Sequence, residues 1–220
     1  MQPVMREYNE AIVDTDRDRA FLVVQAALDL GITPEEVVFG IIVPSIELLM
    51  KSNSDKQGVC LAQHFMAAQI ASEVVDRMVP LFVRAPEIVG RVVIGTARGD
   101  FHGLGKRIVT GCLKSMMVDV TDLGLNVTPE HFVDEALSQD AQVIAISAMM
   151  VHTARGENGC RGVRRILRER GLEARIRINV GGAPYRFDHG LYKVVGADSW
   201  AENGITAGRV ITELIREVRR

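Results

Sequence analysis

Apolar residues recur at helical spacing through residues 1–85. The run Thr33-Pro34-Glu35-Glu36 is typical of a helix start, because a hydroxyl caps exposed N–H groups, proline fits the first turn and acids face the positive end of the helix dipole. Thr15 is expected to cap the start of the helix over 16–30. Helices are expected over 8–13, 16–30, 34–50 and 57–79. This pattern predicts a small helical bundle.

The rhythm changes from Pro86 onward, where short runs rich in valine and isoleucine alternate with helical stretches. Strands are expected at 91–96, 119–122, 142–147, 175–180 and 194–198. Helices are expected at 106–117, 129–139, 158–170, 188–193 and 204–219. Strands that alternate with helices form crossover units, so we predict an α/β, flavodoxin-like, doubly wound sheet of five parallel strands. We expect a helical-bundle domain over 1–85 and this α/β domain over 86–220.

Glycines, hydroxyls and a histidine follow several of the predicted strands. The first strand leads into Gly99-Asp100-Phe101-His102-Gly103-Leu104-Gly105, the third into Ser147-Ala148-Met149 and the fourth into Gly181-Gly182. Doubly wound sheets bind ligands in the crevice at the carboxyl ends of their strands. The convergence of these segments on one edge therefore predicts a ligand site there.

Asp100 and His102 by themselves permit more than one chemistry. A carboxylate two residues before a histidine can fix the tautomer of the ring and raise its basicity, as it does for many metal-bound imidazoles. The same pair could activate Ser147 in a hydrolase, or His102 could be an ordinary loop residue. Glycines at 103 and 105 make room for a bulky ligand. They do not satisfy the G-x-G-x-x-G turn of dinucleotide-binding proteins, although Asp122 does end the second strand.

Composition removes several classes of partner. The net charge of −2, from 26 basic and 28 acidic residues, gives no general attraction for nucleic acid or anionic membranes. No apolar run approaches the ~18 residues of a membrane span, and the N-terminus is too polar for a secretory signal. Cys60, Cys112 and Cys160 lack the short paired spacing of a zinc site. We therefore expect a cytoplasmic protein that binds neither nucleic acid nor membranes.

Three segments in order resemble the cobalamin-binding signature D-x-H-x-x-G…S-x-L…G-G. They are Asp100-x-His102-x-x-Gly105, then after 41 residues Ser147-x-Met149, then after 31 residues Gly181-Gly182. The helical first half looks like the bundle that precedes this domain in methionine synthase and in the corrinoid proteins of methylamine, methanol and aryl-ether methyltransferase systems. Met149 replaces the usual leucine at similar volume, and Gly103 stands where those corrinoid proteins commonly have aspartate.

The resemblance implies a cobalamin-type corrinoid cofactor whose cobalt takes His102 as its lower axial ligand. Asp100 would hydrogen-bond the far nitrogen of His102 and tune its donor strength. Thr153 occupies the place where the family often has a hydroxyl near this pair. In this arrangement the histidine replaces the cofactor's own base, so the nucleotide tail that carries the base is displaced.

The resemblance also implies where that tail lies. Ser147 would face the tail, Gly181 and Gly182 would line its slot, and Gly105 would let a helix begin close to the corrin. Gly103 and Met149 complete the set of cofactor-binding residues carried over from the signature.

The function implied is that of a corrinoid protein that carries a methyl group on cobalt between two partners. One is a substrate-specific methyltransferase and the other an acceptor methyltransferase that uses a folate or a thiol, so this chain is a cofactor-carrying subunit. A light or ligand sensor dependent on cobalamin remains open, since Gln63-His64-Phe65 loosely matches such sensors, although their tryptophan is replaced by Asn53. The cofactor subunit of an adenosylcobalamin isomerase is a further alternative.

Overall fold

The computed structural model describes residues 2–51, 61–83 and 88–219, and the chain divides into two compact units. The first unit is Met1–Glu87 with Lys114–Met117, and the second is Ile88–Leu113 with Val118–Arg220. The boundary expected between residues 85 and 86, and the helix start expected at Gln57, lie outside the described residues. Each unit has buried apolar side chains of its own.

The first unit is built from helices. These are α1 (Gln2–Val13), α2 (Arg17–Asp29), α3 (Pro34–Val37), α4 (Val43–Lys51) and α5 (Leu61–Met78), with a π-helical segment at Val38–Ile42 and a 3-10 turn at Val79–Leu81. Their apolar faces meet in a core that includes Ile12, Val24, Ile41, Ala71 and Val74. The prediction of a helical bundle is confirmed.

Two helix starts in this unit follow from local hydrogen bonds. The Thr33 hydroxyl accepts the Glu36 backbone N–H at 3.2 Å, and the Glu36 carboxylate accepts the Thr33 N–H at 2.9 Å, which is a complete capping box. The start of α2 differs from the expectation, because Asp16 and not Thr15 caps it by accepting the Arg19 N–H at 3.0 Å. Thr15 instead lies in the preceding turn with a φ of 58°.

The helix that Thr33 begins is not α-helical throughout. Pro44 has no N–H to donate to the Gly40 carbonyl, and in an α-helix its ring would collide with that carbonyl. The backbone accommodates the proline by widening to the π-helical segment at Val38–Ile42 before α4 resumes. The single helix expected over 34–50 therefore contains a wide turn.

The second unit contains a sheet of five strands in the order β2-β1-β3-β4-β5. The strands are β1 (Gly90–Thr96), β2 (Val118–Asp122), β3 (Val143–Ser147), β4 (Arg177–Gly181) and β5 (Ser199–Ala201). All neighbouring pairs are parallel. Strand order 2-1-3-4-5 is that of flavodoxin-like, doubly wound sheets, so the predicted fold class is confirmed.

Helices cover both faces of this sheet. They are α6 (Leu104–Ser115), α7 (Pro129–Ser138), α8 (Val151–Arg155), α9 (Cys160–Glu169), α10 (Ala183–Phe187), α11 (Leu191–Val194) and α12 (Gly204–Val218). Along β3, Ile144 and Ile146 pack with residues of α7 and α9, whereas Val143 and Ala145 pack with residues of α6 and α12. No helix in the described ranges is long and apolar enough to cross a membrane.

The fifth strand was misplaced by the sequence pattern. Strand was expected at 194–198, but β5 is Ser199–Ala201 and the valines before it close a helical turn. The Val195 N–H donates to the Leu191 carbonyl at 3.0 Å, and its side chain is buried in the sheet core. For Val195, tertiary burial thus outweighs its β propensity, whereas Val194 is exposed. Helices α8 and α10, of five residues each, were not predicted, because such short helices carry no periodic signal.

Candidate functional site

The carboxyl ends of β1, β3 and β4 lie side by side at one edge of the sheet. Thr96 pairs with Ser147, and Ser147 pairs with Gly181, in parallel register. The segments that follow these three strands are those that the sequence singled out. The fold therefore brings Asp100, His102 and the two glycines at the end of β4 to a common edge, as expected for a doubly wound sheet.

Asp100 is the buried centre of this edge, with no exposed surface. Its Oδ1 accepts the backbone N–H of His102 at 3.0 Å and the Nδ1–H of the same histidine at 2.9 Å. Its Oδ2 accepts the Met149 N–H at 2.7 Å and the Thr153 hydroxyl at 2.9 Å. One carboxylate therefore holds the loop after β1 and the loop after β3 together.

The charge of Asp100 determines which tautomer the neutral ring of His102 adopts. Burial raises the pKa of Asp100, but the hydrogen bonds from His102, Met149 and Thr153 outweigh burial and hold this pKa below its usual range. A charged carboxylate only accepts hydrogen bonds, so in the neutral ring Nδ1 carries the proton and Nε2 keeps its lone pair. The side chain of His102 is 56% exposed. In that tautomer the ring directs Nε2, the nitrogen that is not bonded to Asp100, toward a possible metal ligand position.

Thr96 and Asn126 support this loop and were missed at the sequence level. The buried Thr96 hydroxyl donates to the Asp100 carbonyl at 2.6 Å and accepts the Asn126 N–H at 2.8 Å. The Asn126 side chain accepts the Gly99 N–H at 2.8 Å. These contacts join loops that are distant in sequence, so neither strand alternation nor motif spacing points to them. The one available signal is that asparagine tolerates the left-handed backbone, which Asn126 adopts with a φ of 58°.

Lys106 and Asp122 form a second polar link near the same edge. The ammonium group of Lys106 is buried and is paired with the carboxylate of Asp122 at the end of β2. That carboxylate also accepts the Gly124 N–H at 2.8 Å. A buried lysine requires such a partner, because leaving its charge alone would be costly. Asp122, considered above as the acid of a dinucleotide site, instead attaches the first turn of α6 to the loop after β2.

The glycines of the site differ in whether the fold has room for a side chain at their positions. A Cβ at Gly182, where φ is 123°, would lie 1.9 Å from the Ala148 carbonyl oxygen, so the fold itself demands glycine there. A Cβ at Gly103 would lie 3.1 Å from the Leu125 side chain. At Gly105 and Gly181 a Cβ would come no closer than 4.0 Å and 3.9 Å to any neighbour. The chain leaves this space open without needing it, as a cradle for an external ligand would.

The loops around His102 also expose an unusual number of large apolar side chains. Phe101 is 67% exposed and Leu104 is 64% exposed, on either side of His102 in sequence. The exposed apolar residues of these loops are Phe101, Leu104, Leu125, Met149, Met150 and Val151. Apolar side chains concentrated in this way mark a ligand or interaction site. Met149 therefore contributes its backbone N–H to Asp100 and its side chain to this apolar set.

The hydrolase interpretation of the same residues is not supported by the geometry. Ser147 is half-buried at the end of β3. Among the hydrogen bonds of the described residues, none joins the Ser147 hydroxyl to His102, whose Nδ1 is instead bonded to Asp100. A nucleophile needs a base within hydrogen-bond reach. Ser147 lacks that contact here.

Comparison with known proteins identifies the family. The B12 binding domain matches residues 90–207, a range that contains all five strands of the sheet described above. The chain belongs to the B12-binding corrinoid proteins. Dimethylamine corrinoid protein 3 of Methanosarcina acetivorans is 30% identical over 223 residues, covering 98% of each chain. Trimethylamine corrinoid protein 1 of the same organism is 29% identical over 222 residues, covering 99% of this chain and 96% of its own.

Solved structures show the same fold for this corrinoid protein. A cobalamin-binding protein from Desulfitobacterium hafniense aligns over 96% of this chain and 98% of its own with a TM-score of 0.76 at 19% identity. The methanol:cobalamin methyltransferase complex of Methanosarcina barkeri contains a chain that aligns over 97% of this one and 80% of its own, with a TM-score of 0.74 at 22% identity. Both alignments therefore include the helices of the first unit as well as the sheet of the second.

The cofactor is accordingly a corrinoid of the cobalamin type, and the residues at the sheet edge fit it. His102 offers an oriented ring nitrogen. Gly105 and Gly181 leave a cradle that a Cβ would fill. The exposed apolar side chains around His102 suit the edge of a large macrocycle.

Proposed function

We propose that this corrinoid protein carries a methyl group between two partner enzymes, with His102 as the lower ligand of cobalt. The observation that carries the proposal is the half-exposed imidazole whose Nδ1 is held 2.9 Å from the buried carboxylate of Asp100. The names of the relatives, which are dimethylamine and trimethylamine corrinoid proteins, support a methyltransferase system. They also favour a methylated amine as the first donor to test.

A corrinoid held by His102 would supply the chemistry of methyl transfer from a donor to an acceptor. The protein's residues orient and tune the site. Asp100 holds the His102 ring in one tautomer and makes Nε2 a stronger donor through the Nδ1–H bond. Thr153 and the Met149 N–H in turn fix the second oxygen of Asp100, so the ring cannot turn freely.

We propose that the displaced nucleotide tail of the cofactor occupies the space that Gly105 and Gly181 leave open. Ser147 lies between these glycines, since it pairs with Gly181 and its Oγ is 4.0 Å from where a Gly105 Cβ would be. Its hydroxyl is thus available to the tail. Gly182 has a different role, because its backbone conformation and its contact with Ala148 are set by the fold.

We propose two partners, a substrate-specific methyltransferase and an acceptor methyltransferase that uses a folate or a thiol. The methanol:cobalamin methyltransferase complex, in which a chain of this fold is found, supports the first partner. We place the protein in the cytoplasm. Cys112 and Cys160 are both buried, and burial raises the pKa of both thiols to about 12.

The absorption spectrum of the reconstituted protein tests the proposal. The wild-type protein and a His102→Ala variant are incubated with hydroxocobalamin and desalted. We expect the wild type to retain a corrin spectrum in which the cofactor's own base is displaced and histidine is bound, and the variant to lose or shift it. His131→Ala is a matched control, because this histidine is exposed on α7. A wild type that retains no corrin, or a variant with the wild-type spectrum, would contradict the assignment of His102.

A donor assay then tests carriage of the methyl group. The reconstituted, reduced protein is mixed with methylated amines and a matching substrate methyltransferase. Methylation of the bound corrinoid is followed by its absorption spectrum. We expect demethylation of the donor to depend on the protein and to fail with His102→Ala. Retention of adenosylcobalamin together with a light-dependent change of oligomeric state would instead favour the sensor alternative.

A further inference from the structure

An open groove of about 440 Å³ lies within the first unit, between α2 and the end of α5. Its apolar lining residues are Phe21, Leu22, Val24, Leu28 and Met78. Leu22 is 70% exposed. A large apolar side chain gains free energy when another molecule covers it, so an apolar groove with an exposed leucine is typical of a surface that binds a protein.

Two arginines of this groove stack on the same aromatic ring. The guanidinium carbon of Arg77 lies 4.1 Å from the centre of the Phe21 ring, and that of Arg17 lies 4.8 Å from it. Arg17 is also paired with Glu73 at 2.8 Å. Among the residues that the structure describes, no carboxylate lies within ion-pair distance of Arg77. The groove therefore carries a cation that the Phe21 ring holds in place and that an external carboxylate can pair with.

The same groove carries an exposed carboxylate. Asp18 lies in its lining, and 92% of the Asp18 side chain is exposed. Asp18 lies 3.5 Å from Arg17, which Glu73 binds more closely. The patch thus combines an exposed apolar residue with both a cation and an anion. A uniformly acidic partner would be repelled by Asp18, whereas a surface with the same mixture of groups would be complementary to it.

We propose that the occupant of this groove is a second copy of the chain, which binds the first across a two-fold axis. In such a contact the same patch meets itself, so every pair of contacting residues occurs twice. The two α2 helices run antiparallel and cross at Leu22, and the Leu22 side chains of the two copies pack together. Asp18 is about 6 Å from Leu22 along the helix, within reach of Arg77 of the other copy. Two Asp18–Arg77 salt bridges then flank an apolar centre.

The proposed contact is small, because it uses one face of α2 and the last turns of α5. Interfaces of this kind are weak and transient, and exposed salt bridges at their rim are weakened by salt. We therefore expect a dimer that dissociates on dilution. The dimer needs no corrinoid, so this proposal does not depend on the assignment of His102.

Sedimentation of the full chain over a range of concentrations tests the proposal. We expect the mass of wild type to rise from monomer toward dimer as the concentration increases through the micromolar range. Leu22→Ser should raise the dissociation constant about tenfold or more, because the apolar centre is lost. Leu48→Ser is the matched control and should associate like wild type, because Leu48 is 57% exposed on α4 and does not line the groove.

Charge reversal then distinguishes a second copy from any other occupant. Arg77→Glu brings two acids together across the axis and Asp18→Arg brings two bases together, so each variant alone should be monomeric in the same concentration range. An equal mixture of the two variants should form heterodimers, because each contact then joins one acid and one base. Glu47→Arg reverses an exposed charge on α4 and should dimerise like wild type.

Several outcomes would contradict the proposal. A wild type that stays monomeric at every concentration would overturn it and leave the groove to a different protein. Dimers that persist in Leu22→Ser and in both charge variants would also overturn it, since the contact would then lie elsewhere. A mixture of the charge variants that stays monomeric, although circular dichroism shows both to be folded, would show that Arg77 and Asp18 do not meet. If a charge variant fails to fold, wild type and Leu22→Ser still decide the matter.

Discussion

At the residue scale, Asp100 is the side chain that holds the loops of the site together. It is buried, charged and bonded through both oxygens to two different loops. Hydrogen bonds to a charged group contribute about 1.5–3 kcal/mol each before the cost of burying that charge is subtracted. The arrangement therefore positions the ring of His102.

Replacing Asp100 tests this role in the cofactor-free protein. We expect Asp100→Asn to lower the free energy of unfolding by about 2–3 kcal/mol at neutral pH, because an amide cannot accept at both positions. The pKa of Asp100 is lowered by folding from an ordinary value of 3.8, so its contribution is complete above that pH and is lost as pH falls toward the folded pKa. The difference between wild type and variant should therefore shrink below that value in urea unfolding experiments.

Asp119→Asn provides the control for this experiment. Asp119 has a side chain that is 56% exposed, and its carboxylate lies 3.7 Å from the guanidinium group of Arg91. Its removal should change stability by less than about 1 kcal/mol at any pH. A difference for Asp100→Asn that stays constant down to the lowest pH would show that its charge is not what stabilises the loop.

Two glycines at this scale should behave in opposite ways. Gly105→Ala should raise the stability of the cofactor-free protein by up to about 1 kcal/mol, because alanine is the better helix former and its Cβ has room. The same change should weaken corrinoid binding by about tenfold or more through overpacking. Gly182→Ala should instead destabilise the protein itself, because its Cβ would lie 1.9 Å from the Ala148 oxygen. Thermal unfolding with and without hydroxocobalamin measures the stability and the corrinoid binding of each variant. A Gly105→Ala variant that binds the corrinoid as tightly as wild type would argue against the proposed tail space.

At the element scale, helix ends illustrate how local sequence sets structure. The Thr33–Glu36 capping box is complete, and Pro34 occupies the first helical position. The wide π-helical turn that follows is explained by Pro44. The spacing of apolar residues does not indicate this turn, because it continues through the segment without a break. Local chemistry thus sets where a helix begins and where it distorts, while the apolar stripe sets which side is buried.

The capping box leads to a prediction that is independent of the cofactor. Thr33→Ala should lower the free energy of unfolding by about 1 kcal/mol, because the Glu36 N–H loses its acceptor. Thr33→Ser keeps the hydroxyl and should stay close to wild type. Urea unfolding followed by circular dichroism measures both. An alanine variant as stable as the serine variant would show that the exposed cap contributes nothing measurable.

At the scale of the whole molecule, ligand binding and folding are linked. A corrinoid that binds only the folded chain stabilises it by about 2.7 kcal/mol at a free concentration one hundred times its Kd. We therefore expect hydroxocobalamin to raise the thermal midpoint of wild type in a concentration-dependent manner and to raise that of His102→Ala less. An identical rise in both proteins would indicate binding that does not use His102.

The sequence by itself determined the helical bundle, the five parallel strands and the order of Asp100, His102, Ser147 and the paired glycines, because periodicity and motif spacing are local properties of the chain. Only the tertiary structure decided that the Met149 N–H bonds to the same oxygen of Asp100 as the Thr153 hydroxyl, which the resemblance had placed near this pair, and that Thr96 and Asn126 support the loop. The structure also shows that the last strand is Ser199–Ala201 and not the predicted 194–198. Contacts between loops that are far apart in sequence depend on strand order and register, and no local pattern encodes those.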